Sequence, residues 1–423
     1  MIKKMLQKTK QYLEKTLSKN GKYLLALSGG ADSIALFYLL LEGKWNFQVC
    51  HVNHGWRKES FSEEVELKAL CETHNIGFNL YRIEPSESDM KNAEDKARQK
   101  RLSFFEKIYK ENDFDGLFLG HHADDQVETI LKRVFEGSFL SYISGMKVES
   151  IFNGMRVFRP LIFVYKSEIY EYLKSEKREF FEDATNRDPK FLRSRMRIEM
   201  VPYLEEVFGK GIRENILLLA SRIDSCMHYI ERQAEAKSLY VHKGVIGYYL
   251  ATSLLTEQVE AEVLLREIFQ KEKIDLSRGE IEKLIFLAKS AKDQKKVSKG
   301  DWNLVVERDH LFVCKLPKSP SFSVSKLPLY RPLDDWKGVF QGSSAIYFPE
   351  EGCYLAPPIL NKKLPNGMEL KEWYRIHKVP VFLRSWVPVI WSQGEIVGDC
   401  LSGKSCLSDN PLYANHLLTL KYE

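Results

Sequence analysis

From Lys22 onward, short apolar runs alternate with longer amphipathic segments, and this rhythm predicts βαβ units around a parallel sheet. Strands are expected near 22–27, 47–52, 78–83 and 116–120, with helices near 31–42, 60–75, 91–111 and 123–135. In such a sheet, ligands bind beyond the carboxyl ends of the strands. The polar motifs fall there: Ser28-Gly29-Gly30-Ala31-Asp32-Ser33 follows the first strand, His51-Val52-Asn53-His54-Gly55 ends the second, and Gly120-His121-His122-Ala123-Asp124-Asp125-Gln126 ends the fourth.

After Gly145 the alternation fades. A turn after Arg159-Pro160-Leu161-Ile162 leads into a helix from Lys166 to Ser175. Over 209–287 apolar residues recur at helical spacing, notably in 216–223 and 261–268, and strand-like stretches follow at 302–306 and 311–314. A Ser/Pro-rich stretch at 317–325 reads as a boundary, beyond which short strand-like pieces surround Trp373, Leu383 and Trp391. The expected architecture is therefore α/β: a doubly wound parallel sheet over 1–208, a mainly helical domain over 209–316 and a small α+β domain over 326–423.

Composition narrows the class. A chain of 423 residues exceeds one typical core, and 44% hydrophobic content marks it as globular. The net charge of +5 permits a polyanionic partner without requiring one. Seven cysteines, Cys50, Cys71, Cys226, Cys314, Cys353, Cys400 and Cys406, form no C-x-x-C pair, so they read as reduced thiols and not as a metal or cluster site. The lysine-rich amphipathic start resembles neither a signal peptide nor an anchor, and no apolar run reaches the roughly 18 residues of a membrane span. A cytoplasmic protein without membrane contact is expected.

The chemistry is concentrated in the three motifs. Glycines at 29 and 30 let the backbone approach a ligand, and a helix beginning near Ser33 offers N–H groups and a positive dipole end to an oxyanion. The spacing is neither GxxxxGK(S/T) nor GxGxxG; it resembles the pyrophosphate-binding loop of the ATP pyrophosphatases, which implies that β and γ phosphates are held while the α phosphate is attacked. Asp125 and Glu128, three residues apart, stack on one helical face, suited to magnesium or to an ammonium group, although Asp124 and Asp125 would also serve as helix caps. A two-metal hydrolase would need further ligands in other loops. Arg193 and Arg197 share a helical face fit for polyphosphate or RNA, and Arg98 lies among the lysines of 91–110, a phosphate-binding or merely solvated face. Lys289, Lys292, Lys295, Lys296 and Lys299 form a further basic run.

Taken in order, the Ser28 loop, His51-Val52-Asn53-His54-Gly55-Trp56-Arg57, Asn92-Ala93-Glu94-Asp95-Lys96-Ala97-Arg98, the segment from Gly120 to Thr129, Arg159-Pro160-Leu161, 183–186 and the arginines of 193–197 resemble the tRNA(Ile)-lysidine synthetases. The resemblance implies a ligase that adenylates C2 of cytidine 34 in the CAU anticodon of tRNA(Ile) with ATP and then joins L-lysine there, releasing pyrophosphate and AMP. Decoding would pass from AUG to AUA, and amino acid identity from Met to Ile. It also implies that Ser28, Gly29, Gly30, Ala31, Asp32, Ser33, His54, Arg193 and Arg197 bind ATP, and that Asp32, Asp125, Glu128 and Arg98 are catalytic. Mg2+ is expected on Asp32 and Asp125, with Glu128 taking a proton from the incoming lysine. The C-terminal module would hold the tRNA, with Lys371, Arg375, Lys378 and Arg384 interleaved with aromatics. A tRNA 2-thiolase of the same superfamily is the alternative, as is a non-catalytic RNA-binding protein; the thiolases that rely on paired cysteines need thiols that this chain does not place near its motifs. The oligomeric state stays open between monomer and homodimer.

Overall fold

A computed structural model describes residues 2–55, 59–83, 93–181, 192–290, 294–316, 321–348, 352–407 and 413–421. Trp56, Arg57, Lys91, Asn92, Lys292 and the 183–186 motif lie outside the described residues. The chain forms two compact units, Met1–Met227 and His228–Glu423.

The first unit runs α1 (Ile2–Thr16), β1 (Lys22–Ala26), α2 (Ala31–Glu42), β2 (Asn46–Asn53), α3 (Glu59–Thr73), β3 (Phe78–Arg82), α4 (Ala93–Glu111), β4 (Gly116–Phe118) and α5 (Ala123–Phe135). It continues through α6 (Leu140–Ile143), β5 (Glu149–Phe152), β6 (Met155–Phe158), α7 (Lys166–Ser175), α8 (Leu192–Arg195), a π-helical turn (Met196–Met200) and α9 (Val201–Phe208) to the start of α10 (Ile212–Ser238). The sheet order is β3-β2-β1-β4-β6-β5. All neighbours are parallel except the β5–β6 hairpin.

Both faces of this sheet are covered, as the near-continuous apolar strands require. Leu25 and Leu27 join Ile34, Leu36, Phe37, Leu67, Ile169 and Tyr172 in one core, on the side of α2, α3 and α7. Leu24, Cys50 and Leu117 face the other way, onto Phe105 of α4 and Phe114. Helix α2 is buried almost all round, which its apolar sequence anticipates. Strand order reverses at β1, between β2 and β4, so the crevice for a ligand opens at the carboxyl ends of β1 and β4.

The second unit holds β7 (His242–Gly244), β8 (Gly247–Ala251), α11 (Gln258–Lys271), α12 (Arg278–Ser290), β9 (Lys295–Lys299), β10 (Trp302–Glu307) and β11 (His310–Cys314). Then come β12 (Ser321–Pro332), α13 (Trp336–Gln341), β13 (Ser343–Ile346), β14 (Cys353–Ala356), α14 (Leu370–Ile376), α15 (Val381–Arg384), β15 (Val389–Ser392), β16 (Glu395–Asp399) and β17 (Tyr413–Lys421). A five-stranded antiparallel sheet, β7-β8-β11-β10-β9, is sandwiched by strict alternation. Tyr248, Leu250, Leu304, Val306, Leu311 and Val313 pack on α11 and α12. Tyr249, Val305, Phe312 and Cys314 pack into a second core with Trp336, Phe340, Tyr374 and Trp391. That core joins residues that precede and follow 317–325, where the sequence pattern suggested a break.

Candidate functional site

The Ser28–Ser33 turn is built around the Ser33 hydroxyl. Ser33 Oγ accepts from the backbone N–H of Ser28 and of Gly29, both at 3.2 Å, donates to Gly30 O at 3.0 Å and lies 3.1 Å from Ser28 Oγ. It is buried. Ser33 therefore braces the loop from inside. Gly29 N–H is spent on the same bond, while Gly30 N–H makes a long 3.4 Å contact to Ser28 Oγ. Gly29 has φ +88°, and a Cβ there would stand 2.7 Å from the Phe181 ring, so only glycine suits the position. Helix α2 begins at Ala31, where the apolar pattern predicts it, with Gly30 as N-cap. The first helical bond joins Ile34 N–H to Gly30 O. The N–H groups of Ala31, Asp32 and Ser33 thus face out of the helix end, with the dipole behind them.

The loop after β4 closes against this turn. A Cβ on Gly120 would lie 3.2 Å from the Asp32 carbonyl carbon and the Ser33 nitrogen. Consequently the second motif lands on the first: His122 Nε2 is 3.8 Å from Asp32 Oδ1 and 3.5 Å from Asp125 Oδ2, while its Nδ1 is 3.5 Å from Asp124 Oδ2. Burial opposes a charge on His122, but Asp124, Asp125 and Asp32 together outweigh it and raise its pKa. Its neighbour His121 goes the other way: burial, helped by Arg159 and Arg193 against the pull of Asp125, lowers it to about 4. One imidazole is biased toward the cation and the other is neutral.

Asp32 also receives Lys166, whose Nζ stands 2.7 Å from both carboxylate oxygens. Lys166 opens α7, and its backbone N–H donates to Asp124 Oδ2 at 2.8 Å. Asp124 further pairs with Arg213 near the start of α10. The other carboxylates are held from the π-helical turn. Arg197 Nε donates to Glu128 Oε1 at 2.7 Å, and Arg197 Nη2 to Asp125 Oδ1 at 3.3 Å. Arg197, expected to bind phosphate, thus has its guanidinium on two carboxylates. Glu128 is 3% exposed, and its Oε2 has no hydrogen-bond partner among the described residues. Burial raises its pKa, more than the Arg197 contact lowers it.

Of the remaining expected residues, Ser28 and Arg193 are exposed and Ala31 is buried at the first turn of α2. Arg193 is near enough to His121 and Arg133 to lower both their pKa values. His54 is half-buried just beyond β2. Arg98 is exposed on α4, and among the described residues no hydrogen bond or ion pair joins it to the carboxylates. Behind His54 the loop is anchored by Asn53, which accepts from Gly55 N–H at 2.9 Å and donates to Glu64 Oε2 at 2.9 Å. Sequence reasoning missed Lys166, Arg213 and the brace of Glu64 with Arg82. A signal for the first two exists: a cation at the positive end of a helix is unfavourable unless a carboxylate faces it.

In the second unit, Arg384, expected among the RNA-facing cations, lies in the interior. It is 9% exposed and donates from Nε and Nη2 to Val379 O at 3.0 and 2.7 Å, so it is a core brace and not an RNA contact. Trp373, Tyr374 and Trp391 are likewise buried. Lys371, Arg375 and Lys378 are exposed, with Arg375 on Glu372.

Comparison with known proteins bears on this crevice. A family model described as a PP-loop domain matches residues 1–204. A tRNA(Ile)-lysidine synthase of Protochlamydia amoebophila is 33% identical over 430 residues, covering 94% of this chain and 93% of that protein. The chain belongs to the tRNA(Ile)-lysidine synthase family. A further tRNA(Ile)-lysidine synthase, from Chlamydia muridarum, is 42% identical over 267 residues, 62% of this chain and 83% of that protein. That of Chlamydia trachomatis serovar D is 40% identical over 285 residues, 66% and 88% of the two chains. Among solved structures, a U34-tRNA thiolase from Methanococcus maripaludis superposes with TM-score 0.44 at 20% identity over 52% of this chain and 79% of that one. The described residues include no helix long and apolar enough to cross a membrane.

Proposed function

We infer that this chain carries out the reaction of its family: ATP-dependent adenylation of cytidine 34 at C2 in tRNA(Ile) with a CAU anticodon, followed by attack of L-lysine. In the first step the C2 oxygen attacks the α phosphorus and pyrophosphate leaves. In the second, the ε-amine of lysine bonds to C2, the C2–O bond breaks and AMP departs with that oxygen. The observation that carries the reading is the meeting of the Ser28–Ser33 turn with the His122–Asp125–Glu128 face at one sheet crevice.

The outward N–H groups of α2 and Gly30 would cradle the β and γ phosphates, the accepted role for a helix N-terminus. Two carboxylates that approach one imidazole nitrogen make an all-oxygen donor pair, and Mg2+ is commonly held by one or two carboxylates plus substrate phosphates. Among the described residues no group of three or more protein ligands is arranged for a metal, so ATP oxygens would complete the shell. When bound, Mg2+ would offset charge on the departing pyrophosphate. The substrate ammonium would be received by Asp125 and by Glu128 Oε2, which has no hydrogen-bond partner among the described residues. It must lose a proton before the nitrogen attacks, and the raised pKa of Glu128 makes its carboxylate a stronger base for that transfer. His122, flanked by acids, would steady the negative charge around the α phosphate.

The test is AMP release with tRNA, ATP and Mg2+. Asp32→Ala and Asp125→Ala should each lower it by a factor of about 100 or more while the circular dichroism spectrum stays unchanged. Full turnover in either variant would remove that residue from the mechanism.

A further inference from the structure

Lys166 takes no part in the reading above, yet it makes the closest contacts to the most exposed of its carboxylates. Its root is fixed: the backbone N–H is bonded to Asp124, and the start of α7 is locked by Glu168, which accepts from Tyr165 N–H at 2.9 Å. Its head is not. A lysine stem has four rotatable bonds, and the side chain is 28% exposed, as is 25% of Asp32. The ammonium sits astride both Asp32 oxygens at 2.7 Å, which neutralises the carboxylate and covers the lone pairs a divalent cation would use. Asp32 lies in the first turn of α2, two residues from Gly30, so the same ammonium is within a side-chain swing of the phosphate cradle. A polyphosphate carries several negative charges against the single charge of Asp32, and a point-charge ammonium on a flexible stem is a common partner for such groups.

We propose that Lys166 is the exchangeable counter-ion of Asp32: the β and γ phosphates of ATP draw its ammonium off the carboxylate, and Asp32 is thereby opened to the divalent cation that accompanies ATP. Lys166 is then a phosphate-binding side chain in the loaded site and a guard against metal binding ahead of nucleotide. Binding becomes ordered, with cation affinity at Asp32 coupled to nucleotide. The inference rests on the ATP-dependent reading above and adds a residue and an order of events to it.

The experiment compares the full-length wild type with Lys166→Met, Lys166→Arg and, on the exposed last turn of the same helix, Lys174→Met. Two quantities are read: Mn2+ affinity without nucleotide, from the free-ion EPR signal, and ATP affinity in EDTA, by equilibrium dialysis. Lys166→Met should bind Mn2+ about tenfold more tightly and ATP about tenfold more weakly, the size expected for one charge-assisted contact in each case. Lys166→Arg should keep most of the ATP affinity, and Lys174→Met should change neither. A purely structural ion pair would not move the two affinities in opposite directions. Unchanged or weakened Mn2+ binding in Lys166→Met, or unchanged ATP binding, overturns the proposal; Lys166→Gln replaces it if the methionine variant melts early. Wild type that fails to bind ATP would bring down the adenylation reading itself, a result distinct from wild-type binding that Lys166→Met does not alter.

Discussion

Four carboxylates in the crevice are told apart by the cations they face. Asp32 has the ammonium of Lys166, Asp124 has Arg213 and the Lys166 backbone, and Glu128 and Asp125 share the guanidinium of Arg197. A fifth, Glu64, works behind the site. It is 4% exposed and receives both Asn53 Nδ2 and the Arg82 guanidinium, which holds its pKa below the ordinary 4.5 against the effect of burial. A depressed carboxylate pKa contributes stability above the ordinary carboxylate range, lost as pH falls through the folded value. Glu64→Gln should therefore cost about 1–3 kcal/mol at neutral pH, at the lower end because Arg82 is largely exposed and its share is screened. The loss should shrink as pH drops below about 4. Urea melts across that range check it; a pH-independent difference would contradict the assignment of Glu64 as an ionised brace.

At the scale of elements, the phosphate turn is the least tolerant part of the molecule. Gly29→Ala must adopt φ +88° and bring a Cβ to 2.7 Å from the Phe181 ring. A left-handed non-glycine residue costs about 1–2 kcal/mol before that clash is counted. ATP affinity should fall at least tenfold, with a lowered melting temperature; wild-type ATP binding would show that the cradle lies elsewhere. Such a turn is readable from sequence because its constraint is local. The same holds for β1 through α5, where alternation and apolar runs place the elements within about two residues of their observed bounds. Strand β8 was not legible: Tyr248, Tyr249 and Leu250 are buried on both faces, so the run carries no period of two and merges with the helical pattern around it. Lys166 and Arg213 reach their carboxylates across 134 and 89 residues of sequence, so their place at a helix start points to an acidic partner without saying which one. Motifs reveal the acids, whereas only the fold reveals their counter-ions.

At the scale of the whole molecule, the division at Met227 and His228 separates a nucleotide unit from one whose central sheet is buried on both sides. Packing on that sheet takes up Trp373, Tyr374 and Trp391, and Arg384 is buried as well, whereas Lys371, Arg375 and Lys378 stay exposed. Arg384→Ala removes both donors to the Val379 carbonyl inside that core, and it should lower the melting temperature of the protein. The exposed Lys371 and Lys378 are the better candidates for tRNA contact. Replacing both with alanine should weaken tRNA binding and flatten its salt dependence by about two counterions, leaving ATP affinity as it was. An unchanged salt slope would place the RNA surface on other residues.

The reaction inferred for the crevice is the joining of lysine to cytidine 34. The most direct measurement incubates the protein with ATP, Mg2+, radiolabelled L-lysine and a tRNA(Ile) transcript bearing the CAU anticodon, beside a transcript in which cytidine 34 is replaced by uridine. Label that stays in the RNA through mild base, with equimolar AMP, and only when cytidine 34 is present, is the predicted result. AMP release with no lysine in the RNA would contradict the account, because the adenylating crevice would then serve another nucleophile.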